Sequence, residues 1–345
     1  MKTSQRLKLP LFLAIATAAC GSTDPSPSAN GGLPLSDLGA GEYLNTFEGG
    51  LYPGGSNSMP ARHDSVGRVR AGRLQPLDIN GNPSPGGKYV LLSVGMSHAT
   101  QEWCGVSGPC DPWTFTARAE ADGVVNHGTL VIANGAKGGE VASEWDSPSD
   151  PNYNRVRDQV LTPLGLSQNQ VQAVWLKEAN PDPTVSLPSA NSDAYNLEAA
   201  LGRIIRSLKT RYPNLQIVFL SSRSYAGYAS VSLNPEPFAY ESGFAVKWLI
   251  EAQIDQMENG GTVVDSRAGN LNYDTVAPWI AWGPYFWAAG DTPRADGLSW
   301  SRADFESDGT HPSTSGETKV ANRLLSFFKT DTHASCWFLA GGSCP

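Results

Sequence analysis

The sequence predicts an α/β fold, a parallel sheet of about five strands with helices on both faces, and three observations predict it. Short continuous apolar runs recur along the chain, too brief for helices and rich in Val, Leu, Ile and aromatic residues. Between them lie segments whose apolar residues repeat at helical spacing. Strands that alternate with helices require crossover connections, which are right-handed and pair the strands in parallel. In such a sheet, ligands bind outside the carboxyl ends of the strands. The residues that follow each apolar run therefore carry the functional reading.

The chain opens with Lys2, Arg6 and Lys8 and an apolar stretch over 9–19 that is too short to span a bilayer. Residues 1–19 read as a secretory signal. Its end, Thr17-Ala18-Ala19-Cys20-Gly21, resembles a bacterial lipobox, with Thr17 where Leu is usual. The resemblance implies lipidation of Cys20 and a cell-envelope lipoprotein, periplasmic or outer-surface. The other reading is a plain secreted protein. Ser, Pro, Asn and Gly make 20–35 a flexible tether. From 36 to 88 the chain is Gly-rich and irregular, a lead-in that packs on the core.

The main domain spans 89–345. Its strands are expected over 89–94, 129–133, 171–176 and 216–220, with a weaker one over 279–282. Leu197, Leu201, Ile204, Ile205 and Leu208 share one helical face, and Phe244, Trp248, Leu249 and Ala252 share another. A last helix opens near Thr314 with Glu317 as its capping box, and it buries Val320, Ala321, Leu324, Leu325 and Phe328.

Apart from Cys20, four cysteines remain: Cys104, Cys110, Cys336 and Cys344. In an oxidising compartment an even number favours two disulfides, and Cys104–Cys110 with Cys336–Cys344 is the simplest of the three possible pairings. No Cys-x-x-Cys or paired-His spacing marks a metal site. A net charge of −8 without any Lys/Arg cluster excludes nucleic acid as a partner.

Chemistry concentrates in Asp308-Gly309-Thr310-His311-Pro312. An acid three residues before an imidazole on a stiff turn can fix the ring tautomer and leave the other nitrogen to take a proton from a nucleophile. The nucleophile belongs on a turn that leaves a buried strand. Ser97 stands there, in Gly95-Met96-Ser97-His98. After the second strand run Gly138 and Gly139, where backbone N–H groups can approach a ligand. After the third comes Asn180, whose amide can face a developing oxyanion. His63, His127 and His333 sit in loops without partners and read as surface or structural residues.

Together these segments resemble the SGNH hydrolases, the GDSL esterase and lipase superfamily, over roughly 89–328. The resemblance implies Ser97 as nucleophile, His311 as base and Asp308 as its orienting acid, with Ser97, Gly138 and Asn180 forming the oxyanion hole. Gly139 is the alternative to Gly138. Gly-Met-Ser-His departs from the common Gly-Asp-Ser and resembles the branch of carbohydrate acetyl esterases with Gly-x-Ser-Asn. Glu178-Ala179-Asn180-Pro181 stands where the family has Gly-x-Asn-Asp. The fold expectation is a flavodoxin-like three-layer sandwich, and no cofactor or metal is needed.

The expected activity is that of an exported serine esterase that removes ester groups, O-acetyl foremost, from an acylated glycan, touching membrane only through the Cys20 anchor. Arg223, Tyr225, His98 and Trp282 are candidate substrate contacts, and Trp103, Trp113, Trp145, Trp287 and Trp300 also fall near strand ends. Two other classes fit the same residues. One is a non-catalytic glycan-binding surface lipoprotein of the same fold. The other is a metallohydrolase that uses His98, His311 and Asp308.

Overall fold

The computed structural model describes residues 32–344. The leader, Cys20 and the tether as far as residue 31 lie outside them. Five strands, β1 (Tyr89–Gly95), β2 (Leu130–Asn134), β3 (Val171–Lys177), β4 (Ile217–Leu220) and β5 (Trp279–Trp282), form one sheet. Its order is β2-β1-β3-β4-β5, and every pairing is parallel. This is the flavodoxin-like order, in which the winding reverses between β1 and β3 and opens a crevice at their carboxyl ends.

Every residue of β1 and β3 is buried, and both strands read as mainly apolar runs, interrupted by Ser93 in β1 and by Gln172 and Lys177 in β3. The edge strand β2 is only partly covered. Around the sheet lie α1 (Ala61–Ala71), α2 (Ser97–Trp103), α3 (Phe115–Ala121), α4 (Asp193–Arg211), α5 (Phe238–Glu258) and α6 (Thr314–Thr330). α4 packs on α5, while α6 packs on α2 and α3, giving the two helical layers of a three-layer sandwich. Trp103 of α2 stacks on Trp175 of β3, ring centroids 5.1 Å apart, which fastens that helix to the sheet centre. Disulfides join Cys104 to Cys110 and Cys336 to Cys344. No helix among the described residues is long and apolar enough to cross a membrane.

Three local differences from the sequence reading have physical causes. Order begins before residue 36: Leu35 is fully buried in the short helix Leu35–Leu38, and its N–H donates to the Tyr285 hydroxyl at 3.2 Å. The lead-in holds a regular helix, α1, whose buried residues are His63, Gly67, Arg70 and Ala71. It docks through Gly67, where a Cβ would come within 2.4 Å of the Trp279 ring, so small size and not an apolar stripe makes the contact. Finally, the N-cap of α6 is Ser313 without a side-chain cap bond, and no capping box forms. Glu317 instead accepts the Trp113 indole N–H at 2.5 Å, and burial, partly offset by that bond, pushes its carboxyl up to about 7.

Candidate active site

The site forms where the loops after β1, β2 and β3 converge. At the end of β1, Gly95 lies so close to β3 that a Cβ would sit 2.4 Å from the Lys177 carbonyl oxygen. Only glycine permits that approach. The Gly95 carbonyl accepts the Lys137 N–H at 3.0 Å, which ties the loop after β2 to the same point. Ser97 then opens α2, and its N–H is one of the first-turn donors without a partner inside the helix.

Ser97 Oγ lies 2.9 Å from His311 Nε2, across 214 residues of sequence. On the far side of the ring, His311 Nδ1 is 2.5 Å from Asp308 Oδ2. The other carboxylate oxygen, Oδ1, accepts the N–H groups of Thr310 at 2.9 Å and His311 at 3.0 Å. Burial pushes the Asp308 carboxyl up, but these donors outweigh it and hold the group below its ordinary value. An ionised Asp308 keeps the proton on Nδ1, so Nε2 faces the serine hydroxyl as an acceptor.

The turn that carries both groups is clasped by the loop after β4. The Ser230 N–H and hydroxyl donate to the Asp308 carbonyl at 2.8 and 3.0 Å. Gly309, with φ of 68°, passes so close that a Cβ would fall 1.8 Å from the Tyr228 carbonyl oxygen. Of the two glycines after β2, Gly138 is the one beside the serine, since a Cβ there would lie 3.8 Å from Ser97 Cβ. A Cβ on Gly139 would meet nothing within 4 Å.

Asn180 is pinned at both ends. Its side-chain amide donates to Asp193 Oδ1 at 2.9 Å, and its backbone carbonyl accepts from the Asn234 amide. One amide hydrogen is thus engaged and the other is left over. The sequence reading did not single out Asp193, the first residue of α4, or Asn234. Thirteen residues separate Asn180 from Asp193, and no spacing rule links them.

The expected substrate contacts fare differently. His98 is 2% exposed, its ring centroid 5.7 Å from that of His311, and neither ring nitrogen has a hydrogen-bond partner among the described residues. Burial, with Arg223 and Lys177 nearby, pushes its imidazole well below the ordinary value, so it stays neutral. Arg223 is buried beneath the site, its side chain reaching the Leu233 carbonyl at 3.4 Å, and burial lowers its guanidinium to about 10. Tyr225 packs edge-on against Tyr228 at 5.2 Å.

Trp282 is a core residue: it donates its indole N–H to the Leu51 carbonyl at 2.6 Å. It stands three strands from β1, ~14 Å away at ordinary strand spacing. Trp103, Trp145, Trp287 and Trp300 are likewise buried, so core packing and not ligand contact accounts for them.

Below the serine lies a pair that sequence reading did not expect. Lys177 Nζ, at the end of β3, is 2.6 and 2.7 Å from the two carboxylate oxygens of Glu102 in α2, and both residues are buried. The pair spans the two elements that position Ser97 and Asn180.

No family model matches the chain, and no curated protein matches it. Among solved structures, a GDSL-like lipase from Parabacteroides merdae is similar at 16% identity and a TM-score of 0.37, over 69% of this chain and 94% of that one. A family two carbohydrate esterase with a carbohydrate-binding domain, from Corynascus thermopiles, is similar at 15% identity and a TM-score of 0.35, over 70% of this chain and 66% of its own. A family two carbohydrate esterase from Clostridium thermocellum, solved with cellohexaose, is similar at 13% identity and a TM-score of 0.34, over 72% of this chain and 65% of its own.

Proposed function

We propose that this chain is an exported serine ester hydrolase of the SGNH type that removes acyl groups, acetyl foremost, from a carbohydrate. The observation that carries the reading is the unbroken series Ser97 Oγ to His311 Nε2 at 2.9 Å and His311 Nδ1 to Asp308 Oδ2 at 2.5 Å. Distant segments bring a weak nucleophile, a base and an orienting acid into line, the arrangement that acyl transfer requires.

In the proposed mechanism His311 takes the Ser97 proton as the oxygen attacks the ester carbonyl. The N–H groups of Ser97 and Gly138 and the free amide hydrogen of Asn180 receive the oxyanion. His311 then gives its proton to the departing alcohol oxygen of the glycan, leaving an acyl-serine. Water, deprotonated by the same ring, attacks that acyl group and frees the acid with Ser97 restored. Asp308 remains ionised throughout and stabilises the imidazolium.

A small acyl group is supported by the first motif, which resembles Gly-x-Ser-Asn of the carbohydrate acetyl esterases. The two disulfides and the leader support export, and Cys20 is the proposed point of lipidation.

The test is covalent labelling by a fluorophosphonate, run beside a panel of nitrophenyl esters of increasing chain length and acetylated glycans. Wild type should label once and release acetate, and Ser97→Ala should do neither. If Ser97→Ala still binds the glycan and wild type turns over no ester, the chain is a glycan-binding protein on this fold.

A further inference from the structure

A second hollow, of about 350 Å³, lies between α4, α5 and the loop after α5, and no residue of the Ser97 site lines it. One wall is aromatic. Tyr195 and Trp248 stack with ring centroids 4.9 Å apart, and Phe47 leans on Trp248 at 5.7 Å. This wall already holds one cation of the chain's own, since the Arg267 guanidinium sits 4.1 Å from the Tyr195 centroid.

The remaining lining is acidic and incompletely neutralised. Glu251 pairs with Lys247 at 2.8 Å. Asp265 accepts the N–H groups of Arg267 at 2.7 Å and Ala268 at 3.2 Å. Asp255 is exposed and has no ion pair among the described residues. Glu198 is different again: it is 1% exposed, it lines the hollow, and its carboxyl lies beside that of Asp265, with no ion pair to either among the described residues. Two neighbouring carboxyls without an ion pair repel each other unless a proton or a cation lies between them.

We propose that this hollow is a second binding site, for an organic ammonium ion whose charge meets Glu198 and Asp255 and whose carbon frame lies on Trp248. A metal ion does not fit the placement, because among the described residues no three His, Cys, Asp or Glu side chains converge on one point. The same ammonium chemistry is offered by a free polyamine and by the amino-sugar units of a partly deacetylated glycan.

Proton linkage gives a distinctive signature. Burial and the neighbouring Asp265 push the Glu198 carboxyl up to about 8, with Arg267 opposing and Glu251 adding to the rise. Lys247 and Asp255 of α5, and Glu48 of the lead-in, 3.7 Å from Lys247, are the other charged groups around the hollow. At neutral pH Glu198 therefore holds a proton, which an arriving cation expels. For spermidine, which stays polycationic through this range, binding should release about one proton at pH 7 and should tighten as pH rises through 8, whereas the weaker amines of a glucosamine oligomer give up their own charge over the same range.

The experiment is calorimetric titration of the full chain with spermidine, with a glucosamine oligomer, and with the N-acetylated oligomer as the neutral control. Saturable binding of either amine is expected, with heat that varies with buffer ionisation enthalpy and affinity about tenfold or more weaker in Glu198→Gln. Ester hydrolysis should be unchanged in that variant. Binding of both amines assigns the site to charge alone, and binding of only the oligomer assigns it to an amino sugar. Should Glu198→Gln fail to fold, Asp255→Asn, a change on an exposed side chain, should weaken binding about threefold. The proposal is overturned by the lack of saturable heat from either amine at about 10 mM. Equal affinity in the variants, or equal binding of the N-acetylated oligomer, overturns it too.

Discussion

In the proposed mechanism, Asn180 is a side chain prepared in advance for the reaction. Holding one amide hydrogen on Asp193 fixes the plane of the group before substrate arrives, so no ordering is left to be done in the transition state. Asn180→Ala should lower kcat about a hundredfold or more while KM moves little, because the lost bond strengthens only as the oxyanion forms. Asp193→Ala leaves the donor present but unaimed, and kcat should fall about tenfold. Equal kcat for wild type and Asn180→Ala would remove Asn180 from the oxyanion hole. The meeting of Ser97, Asp308 and His311, the proposed catalytic group, was legible in the sequence through local order: a strand exit with glycine for one, an acid three residues before an imidazole for the others. Asp193 was not, since its partner depends on how the loop before α4 folds back. Trp282 misled for the opposite reason, as an aromatic residue at a strand end looks the same whether it faces a ligand or the core.

Among the elements, the strands were read closely because β1 and β3 are buried on both faces and leave a mainly apolar record. Helix α1 left none, because its contact runs through Gly67 and polar residues. Nor does any pattern reveal that α2 and β3 are joined by Glu102 and Lys177, residues 75 apart. Burial raises the Glu102 carboxyl and lowers the Lys177 ammonium, with each partner opposing the shift of the other. Removing one charge strands the other in the interior. Lys177→Met should destabilise the fold by about 3–5 kcal/mol in urea unfolding, whereas Lys177→Met combined with Glu102→Gln should recover most of the loss. If the single and double variants unfold alike, the pair does not couple these elements.

Over the whole molecule, buried carboxyls set how stability responds to pH. Burial, with Asp265 for Glu198, pushes Glu198 up to about 8, and burial pushes Glu241 up to about 7 and Glu317 to about 7. In an unfolded chain these groups titrate at about 4.3, so between there and 7–8 the folded chain binds more protons and loses stability as pH rises. Asp304 and Asp308 act oppositely. Burial raises them, but their hydrogen bonds outweigh it and leave both depressed. The stability they add is present above the ordinary Asp value and is lost as pH falls through their own. Tm should therefore peak near pH ~4 and decline toward pH ~8, and Glu198→Gln with Glu241→Gln should flatten the decline. A Tm that stays level or climbs over that range in scanning calorimetry would contradict this.

The close passage of Gly309 under the Tyr228 carbonyl has a practical corollary for anyone who redesigns this protein. The loop after β4 and the turn bearing Asp308 and His311 behave as one inherited module. Grafting a foreign loop between β4 and α5 to change what the crevice accepts would also shift the imidazole, so the two stretches must be exchanged together.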